Sequence, residues 1–270
     1  MISFPNAKIN LGLNIVSKRE DGYHNLETIF YPIMIKDALE IIVSDKGYDS
    51  FIESGISTGT SPDSNLVMKA LKLIREYYDI PSLEIHLLKK IPFGAGIGGG
   101  SADAAFMLKL LNEKFELGIA DGELAKMAAR LGADCPFFIY NRPLFASGIG
   151  EVFDEIGDFS LQGYYLALIK PDIHVSTKDA FALIKPQKPA ISLVDIIQMP
   201  IAEWKDCMVN DFGNSIFPKY PAIQDIKERL YGLGAVYASM SGSGSSVYGI
   251  FKEKTNLKKE FSDCYVWEEE

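Results

Sequence analysis

The segment AKINLGLNIV, residues 7–16, alternates without a break: Ile9, Leu11, Leu13 and Ile15 fall on one face, Lys8, Asn10, Gly12 and Asn14 on the other. Period two predicts a half-buried strand that sets Lys8 and Asn10 side by side on its polar face. REDGYHNLETIFYPI reads as a turn at Asp21-Gly22 feeding a second strand, and DALEIIVS supplies a third. In SPDSNLVMKALKLIREYYDIP the spacing changes. Pro62 and a polar cap precede apolar Leu66, Ala70, Leu73, Ile74 and Tyr77, and the pattern stops before Pro81. That spacing predicts a helix. LEIHLLKKI alternates again, and Ser101 to Leu111 returns to helical spacing. Asp121 is placed to cap a further helix, GELAKMAARLG, which ends at Gly132, and CPFFIY and LFASGIGEVF predict strands flanking a turn.

From about Tyr164 the pattern restarts with a strand, YYLALI, and a helix capped by Ser176 or Thr177. Helical stretches follow in VDIIQM, EWKDCMVNDF and AIQDIKERLYGLG, and the strands AVYASM and SVYGIF are joined through SGSGS. Strands and helices mix without a steady βαβ beat, so the expected class is α+β. A seam is expected between Gly157 and Gly163, giving domains of 1–158 and 159–270.

Composition narrows the function classes. The 270 residues are 47% hydrophobic and 23% charged, with no apolar run of bilayer-spanning length. MISFPNAKIN lacks the basic flank and apolar core of a signal peptide. Cys135, Cys207 and Cys264 are odd in number and form no CxxC pair. A reducing cytoplasm is the expected setting. The net charge of −9 argues against nonspecific nucleic-acid or lipid binding, though a local pocket can still take an anion.

The richest stretch is KKIPFGAGIGGGSADAA, where five glycines lie between Gly94 and Gly100. It contains GxGxxG, but a helix capped by Asp121 follows where a dinucleotide fold needs a second strand and an acidic residue. A P-loop would end in Gly-Lys-Ser/Thr, and here the run ends Gly-Gly-Gly-Ser. The DFG tripeptide at Asp211–Gly213 has no preceding HRD and counts as chance. What stays is a strand, a glycine run and a helix start, whose bare N–H groups suit a polyphosphate. Against this stands the plainer reading, that the glycines let backbone pack on backbone.

PFGAGIGGGSADAA resembles the central phosphate-binding motif of the GHMP kinases, the family of galactokinase, homoserine kinase and mevalonate kinase, with Ile97 in place of the usual leucine. PNAKINLGLNI resembles the family's first motif and SMSGSGSSVYGIF its C-terminal one, so the likeness covers the whole chain. AKINLGLNIVSKREDGYHNLETIF, LGADCPFF, FASGIGE and the pair Asn210-Asp211 are similar to a branch whose acceptor is a CDP-linked alcohol, CDP-methylerythritol. Gly213 stands where that branch commonly has an acidic residue, which reads as a surface difference.

The resemblance implies a two-domain fold, with an N-terminal ribosomal-protein-S5-like domain, a C-terminal ferredoxin-like domain and the active site in the cleft between them. It implies a cytoplasmic kinase, monomeric or weakly dimeric, that uses ATP with Mg²⁺ on a small-molecule substrate. ATP would lie along Pro92, Gly94, Ala95, Gly96, Ile97, Gly98, Gly99, Gly100, Ser101 and Ala102, with Asn65 near the adenine. Asp134 matches the catalytic base and Lys8 the lysine beside it. By position alone, Asp134 would satisfy turn backbone groups and Lys8 would be a solvated strand lysine. Asn10 would orient the acceptor, and Ser101 and Ser243 are candidates for phosphate or Mg²⁺ contacts. Tyr23, His24 and Phe181 would hold the cytosine, the first two supplying an aromatic face and a hydrogen-bonding ring, the third closing a sandwich. By helical spacing alone, Phe181 would be core.

Two competing readings remain testable from the same residues. A GHMP kinase for a baseless alcohol such as homoserine or mevalonate would have no use for Tyr23, His24 and Phe181. A nucleotide-binding module without activity would have lost Asp134 or Lys8, and both are present.

Overall fold

The computed structural model describes residues 1–269. The chain opens with β1 (Ile2–Ser3) and β2 (Asn6–Lys18), turns at Asp21-Gly22 into β3 (His24–Lys36), and continues through β4 (Ala38–Val43) and β5 (Ser50–Gly55). A 3₁₀ turn at Pro62–Ser64 leads into α1 (Leu66–Ile74), then β6 (Leu83–Lys89), α2 (Gly99–Lys114), α3 (Asp121–Ala129) and α4 (Cys135–Tyr140). The rest comprises β7 (Leu144–Ser147), β8 (Val152–Glu155), β9 (Tyr165–Lys170), α5 (Thr177–Phe181), α6 (Leu193–Ile196), α7 (Gly213–Lys219), α8 (Pro221–Gly232), β10 (Tyr237–Met240), β11 (Val247–Phe251) and β12 (Tyr265–Glu268).

Two compact units result. The first takes residues 1–8, 32–93 and 98–142, and the second the remaining described residues. In the first, a four-stranded sheet of order β1-β4-β6-β5 is antiparallel except for the parallel β5–β6 pair. Alternation sends Leu39 and Ile41 of β4, and Leu83, Ile85 and Leu87 of β6, into the core. They are buried with Ala70, Leu71 and Ile74 of α1 and Ala104, Met107, Leu108 and Leu111 of α2. Each fully buried aliphatic side chain of this kind contributes roughly 1.5–3 kcal/mol. The second unit holds an antiparallel sheet of order β10-β11-β9-β12. Its core gathers Ile169, Val247 and Met240 with Ile216, Ile223, Ile226 and Leu230 from α7 and α8. A third sheet has the order β2-β3-β7-β8. Among the described residues, no helix is long and apolar enough to cross a membrane.

Four expectations need correction. CPFFIY is the helix α4, not a strand. A short unbroken apolar run does not by itself distinguish the two, and Pro136 in the first turn, where no N–H is needed, favours the helix. The polar face of β2 is not open to water. Lys8, Asn10 and Asn14 are all buried. Gly213 is not a surface difference either: it is buried at the start of α7, and a Cβ there would lie 2.8 Å from the Phe217 ring. Asp121 is the first residue of α3 rather than its cap, Ala120 holding that position.

Candidate active site

β6 delivers the chain to the glycine run, and α2 begins at Gly99 with Gly98 as its N-cap in the left-handed region, φ 74° and ψ 17°. The first intrahelical bond joins Ala102 N–H to the Gly98 carbonyl at 2.8 Å. By helix geometry, the amides of Gly99, Gly100 and Ser101 precede that bond and point outward from the helix start. They give the first unit a patch of partial positive charge suited to phosphate oxygens.

The glycines do not all serve one purpose. A Cβ on Gly98 would lie 2.9 Å from the Phe138 ring and 3.3 Å from Lys8 Cε. Within the second unit, a Cβ on Gly96 would lie 2.3 Å from the Ser241 carbonyl oxygen, at a φ of +74°. Both positions are glycine because the protein's own atoms come that close. Gly100 differs: nothing stands nearer to its Cβ position than Leu66, 3.7 Å away, and its φ is not positive. It is glycine without any packing demand, which is what a ligand resting on the backbone requires.

Beside the helix start, Lys8 Nζ lies 3.4 Å from Asp134 Oδ2. The Lys8 side chain is 4% exposed and that of Asp134 36%, so solvent and ligands reach the carboxylate but not the ammonium. Asp134 occupies the N-cap position of α4, yet its side chain makes no capping bond. The turn-satisfying role is therefore not the one it plays. Ser101, in the first turn of α2, lies near the thiol of Cys135, the residue after Asp134. Burial pushes that thiol up to about 12, so it is no nucleophile at neutral pH.

Asn65 caps α1, its Oδ1 accepting from Val67 N–H at 2.9 Å while its Nδ2 donates to Glu53 at 3.3 Å. Pro92, Ala95, Ile97 and Ala102 are buried, so any contact they make with a ligand runs through the backbone.

The second unit carries the remaining candidates. Asn10 Nδ2 donates to the Thr28 hydroxyl at 2.9 Å, and Tyr248 O–H donates to the Asn10 carbonyl at 2.9 Å. Tyr23 is 62% exposed after the Arg19–Asp21 turn. His24 and Phe181 stack on each other, ring centroids 4.9 Å apart at 25°, and Phe181 meets Phe212 edge-on at 4.8 Å. Rings that touch directly leave no gap for a third, so a base stacking on this face of Phe181 has to displace His24. Ser243 is half-buried in the turn from β10 to β11. That turn is held by Asn210, whose Nδ2 donates to the Met240 and Gly242 carbonyls, and by Ser241, whose hydroxyl donates to the Gly96 carbonyl at 3.0 Å.

Sequence reasoning overlooked a buried triad in the first unit. Lys89 Nζ bonds both Asp37 Oδ2 and Asp103 Oδ2, the latter at 2.6 Å. Its signal was present: Leu83, Ile85, Leu87 and Lys89 share the inward face of β6, and an inward lysine demands counter-charges. Burial, with Asp37 adding to it, pushes the Asp103 carboxyl up to about 8 against the pull of Lys89. Burial also works against the Lys89 ammonium, but the two carboxyl groups outweigh it and hold its pKa above the ordinary.

Comparison with known proteins gives this arrangement its class. The family model described as GHMP kinases N terminal domain matches residues 65–142, and the one described as GHMP kinases C terminal matches residues 192–264. The chain belongs to the GHMP kinase family. It is 57% identical over 99% of its length to a 4-diphosphocytidyl-2-C-methyl-D-erythritol kinase of Parabacteroides distasonis, 98% of which is covered. A crystal structure of 4-(cytidine 5'-diphospho)-2C-methyl-D-erythritol kinase superposes with a TM-score of 0.84 at 28% identity, over 99% of this chain and 98% of that one. The homoserine kinase of Cytophaga hutchinsonii shares the fold, with a TM-score of 0.69 at 18% identity over 97% and 93% of the two chains.

Proposed function

We propose that this chain transfers the γ-phosphate of ATP to the 2-hydroxyl of 4-diphosphocytidyl-2-C-methyl-D-erythritol, giving the 2-phosphate and ADP for isoprenoid precursor synthesis by the non-mevalonate route. Relatives carrying that name at high identity over the full chain support the acceptor. The observation that carries the chemistry is the Lys8–Asp134 pair beside the start of α2.

Phosphoryl transfer asks the protein mainly to position groups and stabilise charge. Amides at the start of α2 receive the triphosphate. Asp134 accepts the proton of the acceptor hydroxyl as its oxygen bonds to the γ-phosphorus and the bond to the ADP oxygen breaks. A positioned base of this kind is worth about 10² to 10⁴ in rate. Lys8, shielded from water, sets its ammonium 3.4 Å from the Asp134 carboxyl group. Mg²⁺ would travel with the triphosphate and neutralise its charge. Mg²⁺ arriving with ATP keeps mostly phosphate and water oxygens and asks few ligands of the protein. Asp134 and the Ser101 hydroxyl are the groups that would stand beside it.

Tyr23, His24 and Phe181 serve the cytosine, and Asn10 and Ser243 the remainder of the acceptor. Binding energy from a base remote from the reaction holds the reacting end in place. The enzyme acts in the cytoplasm as a monomer or weak homodimer, with no nucleic-acid or membrane partner. A coupled ADP-release assay with the CDP-alcohol, homoserine and mevalonate tests this: turnover is expected on the first alone. Turnover on homoserine or mevalonate instead would reassign the acceptor within the family.

A further inference from the structure

The triad of Asp37, Lys89 and Asp103 takes no part in the chemistry above, yet its placement follows the glycine run closely. Asp37 lies at the corner between β3 and β4. Its Oδ1 accepts from the backbone N–H groups of Lys90 at 2.5 Å and Ile91 at 2.8 Å, the residues that lead into the run. Its Oδ2 accepts from Lys89 Nζ, which also donates to Asp103 in the first turns of α2. A Cβ on Gly99 would lie 3.5 Å from that same Nζ and 2.6 Å from Ile91 Cγ2. The three side chains are 0–4% exposed. The buried residues of α1, α3 and α4 that pack around α2 are apolar apart from the Cys135 thiol. Beside the triad, the other buried charge at the start of α2 is Lys8, which is paired with Asp134.

A purely mechanical brace needs no ionic group, and well-packed apolar residues often serve as well or better. Here one carboxyl group fixes the backbone entering the run directly and, through Lys89, the helix turn leaving it. We propose that Asp37 is a positioning residue for the nucleotide: it sets the separation between the Lys90–Ile91 backbone and the start of α2, and so the spacing of the amides that receive the triphosphate. The inference rests on the ATP reading of the glycine run and adds to it a residue that never touches the ligand.

The test reads nucleotide affinity apart from stability, using calorimetric titration of a nonhydrolysable ATP analogue and the thermal midpoint of each variant. Asp37→Ala removes both anchors and should weaken binding about 10- to 100-fold, the range for a buried hydrogen bond to a charged group. Asp37→Asn keeps an oxygen for the two amides but loses the partner of Lys89, so its loss should be smaller. Should Asp37→Ala fail to fold, Asp37→Asn and Lys89→Met decide: weakened binding in both supports the proposal. Folded variants with a lower midpoint and unaltered affinity would overturn it, leaving the triad a brace. No binding by the unaltered chain would overturn the ATP reading itself, and this inference with it.

Discussion

The groups assigned to phosphoryl transfer and those assigned to the base are held in opposite ways. In the first unit, Lys8 is buried, Asp134 is paired to it, and the helix start is packed against Phe138 and the Lys8 stem. Little there needs to move. In the second unit, Tyr23 is out in solvent and His24 lies on the ring of Phe181 that a base would use. The difference separates two tasks. Charge stabilisation works best when dipoles are fixed before the reaction, whereas recognition of a remote base can be completed as the ligand arrives.

If that contrast is right, the largest effect comes from Asp134→Asn. Its kcat should fall by about 10² to 10⁴ with the affinity for a nonhydrolysable ATP analogue nearly unchanged; an ordinary kcat would remove the base from the account. Phe181→Ala should raise KM for the cytidine substrate and not for ATP. A stacked base is worth about 1–3 kcal/mol, or roughly 5- to 150-fold. Equal effects on both substrates would dissolve the contrast between the two regions.

The glycine run offers a sharper cut. Gly96→Ala forces a Cβ into the Ser241 carbonyl at positive φ, and should lower stability by about 1–3 kcal/mol in chemical denaturation. Gly100→Ala has room, so it should leave stability unchanged and weaken ATP binding instead; the reverse pattern would mean that the open glycine is not a ligand surface. The smallest effect concerns the segment bearing Phe181. Asp179 of α5 is held down at about 2, first by its hydrogen bond to Lys219 and then by Ser176, with Tyr220 adding a third partner. Its pKa is depressed by folding, so its contribution is present above the ordinary carboxylate value of about 4 and is lost as pH falls toward 2. Acid titration of Asp179→Asn should therefore lack a small part of the stability loss in that window, and an unaltered titration would count against the link.

The parts legible in the sequence were those with strong local periodicity. β2, β6, α1 and α8 follow from spacing alone, and the glycine run announces the start of α2. Short elements escaped: β5, written SFIESG, and β12, written YVWE, carry too few alternating residues to stand out. α4 was misread because six apolar residues fit either period. Periodicity also fixes which residues share a face without saying what covers it, so Lys8 was legible as a neighbour of Asn10 but its burial was not. The contact of His24 with Phe181, and that of Asp37 with Lys89 across 52 positions, arise only from the tertiary fold.

The account's central claim is that a phosphoryl group passes intact from ATP to a hydroxyl of the CDP-alcohol. Phosphorus NMR of the reaction with 4-diphosphocytidyl-2-C-methyl-D-erythritol tests it directly. The predicted spectrum gains one phosphomonoester resonance on the erythritol part and the resonances of ADP, with the CDP diphosphate unbroken. Free inorganic phosphate with no new ester, or a cleaved CDP diphosphate, would contradict it.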